Sequence, residues 1–216
     1  MSGAEDAERR IPFVVAGPSG TGKTSVCRAV VAADPRVVFS VSHTTRTPRA
    51  GEVDGEHYTF VGVEEFERMI TAEAFLESAV YNGNHYGTSW ASIDRPLAEG
   101  FDLLLEIEVQ GARQVRERRD DARFIFLLPP SMKTLKERLD SRGTDTPDAV
   151  EERLGTARRE LEAADGFQYA VVNDDLDRCV AQVLEIIRAE RSGATRELRR
   201  ELEPGRAVAP LREQRD

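Results

Sequence analysis

Eight consecutive residues, Gly17, Pro18, Ser19, Gly20, Thr21, Gly22, Lys23 and Thr24, spell a glycine, four further residues, a second glycine, a lysine and a hydroxyl. That spacing is suited to holding a chain of phosphates. Glycines let the backbone fold around an anion with its amides pointing inward, Lys23 brings positive charge to β and γ phosphates, and Thr24 offers a hydroxyl to Mg²⁺. Ser25 continues into a helical pattern, whose N-terminal dipole adds to the attraction. A second group sits on a glycine-punctuated loop, where Arg46 and Arg49 lie three apart and Tyr58 follows at the start of a strand. Guanidinium forks clamp phosphate oxygens through paired, charge-assisted donors, and a tyrosine hydroxyl can add another. A third pair, Glu106 and Glu108, alternates inside the apolar run FDLLLEIEV. The two carboxylates are therefore expected on one face of a strand, where charge needs a reason to be.

The elements that would position these groups follow from hydrophobic patterning. Residues 11–16 (IPFVVA) form a short, nearly continuous apolar run, as expected of a central strand buried on both faces, and residues 25–33 suit a helix ended by Asp34 and Pro35. Further strands are expected at 37–42, 58–61, 101–109, 124–128 and 169–172, with a strand and turn over 80–88. Helices are expected over 64–72, 89–99 (with Pro96 as a kink), from Gln110, from Pro130 to about Ser141, over 147–164 and from Asp175 onward. The stretch HTTRTPRAGEVDGEHY is read as loop, because Pro48, Gly51 and Gly55 interrupt regular structure. Alternating strands and helices imply an α/β fold with a mostly parallel sheet flanked by helices. The charged segment TRELRRELEPGRAVAPLREQRD, 195–216, is poor in bulky apolar residues and is expected to be a helical extension fraying into disorder.

Composition narrows the class. The 216 residues are 40% hydrophobic and 32% charged, with a formal net charge of −9, an ordinary globular balance sized for one substantial domain. Non-specific binding to polymeric nucleic acid needs many phosphate contacts, which this charge disfavours. No apolar run is long enough to span a membrane, and MSGAEDAERR resembles no targeting segment, so the protein is expected to be cytoplasmic. Cys27 and Cys179 read as packed thiols, and the three scattered histidines lack metal-ligand spacing.

The phosphate loop by itself leaves the reaction open. A GTPase is expected to carry a guanine-reading NKxD, which this sequence lacks; the DxxG at 140–143 lies at the end of an amphipathic helix and is read as coincidence. The longer pattern is decisive. VVAGPSGTGKT, SVSHTTRTPRAGEVDGEHYTFV, FLESAVYNGNHYGTS, LLLEIEVQGA and VVNDD, in that order, resemble guanylate kinases from about Ile11 to Arg191.

The resemblance implies a phosphate-loop kinase core over about 11–41, 101–137 and 167–193, a GMP-binding segment over about 42–100 and a helical lid over about 138–166. Residues 1–10 would be a polar tail and 194–216 a C-terminal extension. The implied substrates are ATP and GMP, with Mg²⁺ as cofactor at Thr24 and Glu106. Arg46, Arg49 and Tyr58 would hold the GMP phosphate. Glu77 would read guanine, because an acceptor-only carboxylate pairs with the N1 and N2 donors and meets a lone pair on adenine. Ser42 and Thr88 would contact guanine O6, with Tyr86 a further nucleotide contact and Glu108 near the guanine amino group. Relatives often carry serine at the position of Thr88 and aspartate at those of Glu106 and Glu108. Lid arginines Arg138, Arg142 and Arg153 would join Lys23 and Arg46 in catalysis, and Asn173 would lie near the adenine. The implied reaction is ATP + GMP giving ADP + GDP. The alternatives are a kinase for another nucleoside monophosphate and a non-catalytic guanylate-kinase-like interaction domain, the latter disfavoured by the intact phosphate loop.

Overall fold

The computed structural model describes residues 10–81, 83–141 and 147–214. The chain opens with β1 (Pro12–Ala16), α1 (Lys23–Ala33), β2 (Val37–Phe39), β3 (His43–Thr44), β4 (Thr59–Phe60) and α2 (Val63–Thr71). The hairpin strands β5 (Phe75–Tyr81) and β6 (Asn84–Ser89) lead to α3 (Trp90–Ala98), β7 (Asp102–Glu106) and α4 (Val109–Arg118). Then come β8 (Arg123–Leu128), α5 (Met132–Asp140), α6 (Pro147–Leu161), β9 (Tyr169–Val172), α7 (Leu176–Ser192), α8 (Arg196–Glu201) and α9 (Pro204–Glu213).

The central sheet has the order β2-β7-β1-β8-β9, with every pairing parallel. Its strands are the apolar runs of the sequence, because a parallel sheet covered by helices buries both faces. The period-two alternation of side chains divides the core. Val14, Leu103, Leu105, Phe124 and Phe126 face a layer that includes Ala112, Leu135, Leu139, Leu154 and Leu161. Phe13, Val15, Leu104, Ile125 and Leu127 face a layer that includes Val26, Val30, Val183 and Ile187. Cys27 and Cys179 are buried and free, as expected. No described helix is long and apolar enough to cross a membrane.

A second sheet, β4-β3-β6-β5, carries the 42–100 segment. Here β3 and β4 run parallel, whereas β6 is antiparallel to both β3 and β5. The stretch read as uninterrupted loop thus contains a strand. His43 and Thr44 are extended because β6 supplies backbone partners opposite them, at Gly87 and Tyr86. On the other side of this sheet Phe66 of α2 stacks on Phe75, with centroids 4.5 Å apart.

Two further expectations are corrected. The strand predicted over 101–109 ends at Glu106, and Glu108 becomes the extended N-cap residue of α4. The C-terminal segment is not frayed through residue 214. It forms α8 and α9, which bury Leu198, Leu202, Val208 and Leu211 in the two core layers. Leu202 O also accepts from Ala170 N at 2.9 Å, on the edge strand β9. Covering an edge strand satisfies backbone groups that would otherwise invite another chain.

Candidate active site

The phosphate loop joins the buried end of β1 to α1. Gly17, Gly20 and Gly22 have φ of 148°, 89° and 90°, a region costly for residues with a Cβ. At Gly17 the constraint is also steric, since a Cβ there would lie 2.3 Å from Leu127 O of β8. The loop is braced from behind. Thr21 Oγ1 donates to Pro18 O at 2.8 Å, and the buried Asn173 donates through Nδ2 to Thr21 O at 2.7 Å. Arg138 of α5 donates to Asn173 O at 2.9 Å and reaches Thr21 O at 3.5 Å. Asn173, expected beside the adenine, therefore has its side chain turned into the loop.

Lys23 is buried, its ammonium donating to Gly17 O at 2.6 Å and lying 3.7 Å from Glu108 Oε2. Thr24 Oγ1 donates to Glu106 Oε1 at 2.6 Å. Glu106 and Glu108 thus reach neighbouring residues of the loop, as their alternation predicts, although the strand has ended between them. Burial pushes the Glu106 carboxyl above its ordinary range, against the pull of Thr24 and Lys23, with Glu108 adding to the rise. A carboxylate short of compensating charge beside a hydroxyl is an all-oxygen donor pair suited to a hard cation. Among the described residues no group of three or more His, Cys, Asp or Glu could hold a metal.

The second sheet supplies a further group of buried polar side chains. Glu77 on β5 is 5% exposed. Thr88 Oγ1 on β6 donates to Glu77 Oε1 at 2.6 Å, and Ser42 Oγ lies 3.1 Å from the same hydroxyl. Burial pushes the Glu77 carboxyl up, opposed by the Thr88 bonds, and the charge of Glu108 pushes it further. The N-terminal end of α4 joins the two groups: its N-cap Glu108 lies 3.7 Å from Lys23, and Gly111 in its first turn packs against Glu77. The fit is tight: a Cβ on Gly111 of α4 would lie 2.6 Å from Glu77 Oε2.

Arg46 is held by both oxygens of Glu52, at 3.0 and 2.8 Å, and lies over the rings of Tyr58 and Phe60, 5.4 and 5.8 Å from their centroids. Tyr58 meets Tyr86 edge to face at 6.0 Å. Burial raises the Tyr58 hydroxyl above its ordinary pKa, and the charge of Glu106 adds to the rise. Arg49 is exposed, with its backbone amide donating to Glu52 Oε2 at 2.7 Å. Arg153 is half-buried on α6. Arg142 lies outside the described residues.

Three residues of this site were not singled out by sequence reasoning. Glu52 orients Arg46, and its fixed place in the TPRAGE stretch was the available signal. Gly111 had a weaker one, in LEIEVQGA. Glu160 of α6 had none, since it sits in a charged helical run; burial pushes its carboxyl up to about 7, with Glu108 adding to the rise and Lys23 opposing it.

A family model described as guanylate kinase matches residues 9–190. The chain belongs to the guanylate kinase family. It is 44% identical over 182 residues to a guanylate kinase of Histophilus somni (strain 129Pt), covering 83% of this chain and 88% of that one. It is 49% identical over 176 residues to one of Rubrobacter xylanophilus, covering 82% and 92%. Among solved structures, a guanylate kinase from Anaplasma phagocytophilum matches with a TM-score of 0.70 and 30% identity over 85% of this chain and 87% of that one. The fold is that of a phosphate-loop kinase, and the chain is an enzyme, a nucleoside monophosphate kinase of the guanylate kinase family.

Proposed function

We propose that this guanylate kinase family member transfers the γ-phosphoryl group of ATP to GMP, with the residue roles set out below. The observation that carries the substrate assignment is the buried Glu77, bonded to Thr88 and packed against Gly111 in the first turn of α4, whose N-cap Glu108 lies beside Lys23. A buried acceptor-only group rejects a base that cannot donate to it, because its own hydrogen bonds are then lost.

In this reading residues 42–100 bind GMP. Arg46 and Arg49, with Tyr58, take the 5′-phosphate; Glu52 keeps the Arg46 guanidinium oriented beforehand, which lowers the cost of ordering it. Glu77 takes the guanine N1 and N2 donors, Ser42 and Thr88 the O6 side, Glu108 the amino edge, and Tyr86 flanks the nucleotide. Gly17 to Ser25 wrap the ATP phosphates, with Asn173 bracing the loop from behind. Lys23 leaves the loop carbonyls for the β and γ phosphates. Thr24 and Glu106 would hold a Mg²⁺ ion, which would supply positive charge to the ATP phosphates.

The attacking oxygen belongs to the GMP phosphate and is already anionic near neutral pH, so no residue need remove a proton. What remains for the protein is alignment of two anions and stabilisation of charge on the transferring group. Lys23, Arg46, Arg138, Arg142 and Arg153 fill that role. Arg138 of α5 already bonds to the phosphate loop, which supports reading 138–166 as a lid, and closure would exclude water as a competing acceptor.

The test is to incubate the purified protein with Mg-ATP and a panel of GMP, dGMP, AMP, CMP and UMP, measuring ADP release and the diphosphate formed. GMP is expected to be the preferred ribonucleotide acceptor. Equal turnover of AMP or a pyrimidine nucleotide overturns the substrate assignment.

A further inference from the structure

Helix α9 lies beyond the stretch that matches the family model, yet it joins the two ends of the arginine-bearing helices. The first residue of α5, Met132, donates its backbone N–H to Gln214 Oε1 at 3.1 Å. The last residue of α6, Leu161, accepts from Arg212 Nη2 at 3.0 Å. Both are groups that a helix end leaves without an internal partner. An arginine at a helix C-terminus also complements the negative end of the dipole. Arg212 is fixed in turn by Asp165, at 3.0 Å, and Glu162, at 3.6 Å.

The attachment is more than peripheral. Val208 and Leu211 of α9 are buried in the same layer as Leu135 and Leu139 of α5 and Leu154 and Leu161 of α6. At its other end the C-terminal segment is anchored to the central sheet. Arg199 of α8 pairs with the buried Glu190, which also binds Arg123 of β8 and Tyr169 of β9. Displacing the α5–α6 pair relative to the sheet therefore works against a helix fixed to both. The ion pair between α5 and α6 from Lys136 to Glu151 is exposed on both sides, and such pairs contribute little. Because Arg138 of α5 bonds to the Thr21 and Asn173 carbonyls, the setting of α5 is transmitted directly to the phosphate loop.

We infer that Arg212 is a positioning residue for phosphoryl transfer: with Gln214 it fixes the base of the α5–α6 pair, and so sets where Arg138 and Arg153 stand relative to the phosphate loop. This rests on the kinase reading above. It predicts an effect on turnover without an effect on GMP capture, since α9 packs on β9, α6 and the 164–166 turn, elements that carry no residue assigned to GMP.

The experiment compares the full-length protein with Arg212→Ala, Arg212→Lys and Gln214→Ala, in Mg-ATP and GMP, well below the thermal unfolding midpoint of each. Arg212→Ala is expected to lower kcat by about three- to thirtyfold, less than the roughly 100-fold that a full 1 Å misplacement can cost, while KM for GMP stays within about twofold. Arg212→Lys should recover much of the loss, because an ammonium can still reach the Leu161 carbonyl and the two carboxylates. Gln214→Ala removes a single hydrogen bond and should fold normally, giving a smaller loss in the same direction. Wild-type kcat in Arg212→Ala and Gln214→Ala, or a loss matching the unfolded fraction measured by circular dichroism, overturns the inference. If the wild-type protein forms no GDP, the kinase reading fails and this inference with it; an active wild type with unaffected variants defeats only the role of Arg212.

Discussion

Thr24 and Glu106 stand 82 residues apart in the chain and meet across 2.6 Å at the rim of the phosphate loop. The hydroxyl and the carboxylate come from the first turn of α1 and the last residue of β7, two elements fixed by the parallel pairing of β1 with β7. With the proposed metal at this pair, Glu106→Gln should raise the Mg²⁺ concentration needed for half-maximal turnover by about 10- to 100-fold. Titrating activity against free Mg²⁺ at fixed ATP checks it, and an unchanged Mg²⁺ dependence removes Glu106 from the metal site.

Glu77 should separate function from stability. Its carboxyl is raised by burial, then by Glu108, despite the Thr88 bonds. A carboxyl whose folded pKa is raised costs stability once it ionises, so the ligand-free fold loses stability as pH climbs from the ordinary glutamate value through the raised one. Glu77→Gln is therefore expected to leave the unfolding midpoint at neutral pH unchanged or higher. The same change should reduce the GMP-to-AMP ratio of kcat/KM by about tenfold or more. A variant that keeps full discrimination contradicts the guanine assignment.

Gly17 and Gly51 test two different reasons for glycine. Both have positive φ, but an added Cβ at Gly17 meets Leu127 O at 2.3 Å, whereas at Gly51 it meets nothing within 4 Å. Gly51→Ala should cost about 1 kcal/mol, the left-handed strain alone. Gly17→Ala adds a backbone clash in the core and should cost about 3 kcal/mol or more. Urea unfolding of the two variants distinguishes them, and equal costs would show that the β8 approach is not limiting.

Glu190 sets an acid limit on the fold. Burial pushes its carboxyl up, but hydrogen bonds from Tyr169, Arg199 and Arg123 outweigh that and hold it below its ordinary value. A lowered folded pKa means that this contribution is complete above the ordinary glutamate pKa and is lost as pH falls through the folded one. Glu190→Gln should lower stability at pH 7 by about 3 kcal/mol, because it removes the charge partner of the largely covered Arg123. The deficit relative to wild type should shrink on acidification. Chemical unfolding from pH 7 down to pH 3 measures it, and a deficit that stays constant with pH defeats the linkage.

The sequence by itself determined the elements whose energy is local. The apolar runs at β1, β7 and β8 could be buried only as central strands, and the glycines of GPSGTGKT marked a backbone that no other residue follows cheaply. The alternation of Glu106 with Glu108 placed two carboxylates at the end of β7, where they reach Thr24 and Lys23. Contacts between distant segments were decided by the tertiary structure. Nothing near Glu77 in the chain shows that Thr88 and Ser42 complete its hydrogen-bond chain, because the register of β5 on β6 and of β6 on β3 places them. Nothing in the charged run of α6 distinguishes Glu160, whose raised carboxyl comes from burial near Glu108. The C-terminal segment is the clearest case. Leu198 with Leu202, and Val208 with Leu211, are spaced for one helix face each, but so diluted by arginine and glutamate that they read as solvent-exposed. Their burial gains free energy only against β9, α5, α6 and α7, and that surface exists only once the rest of the chain has folded.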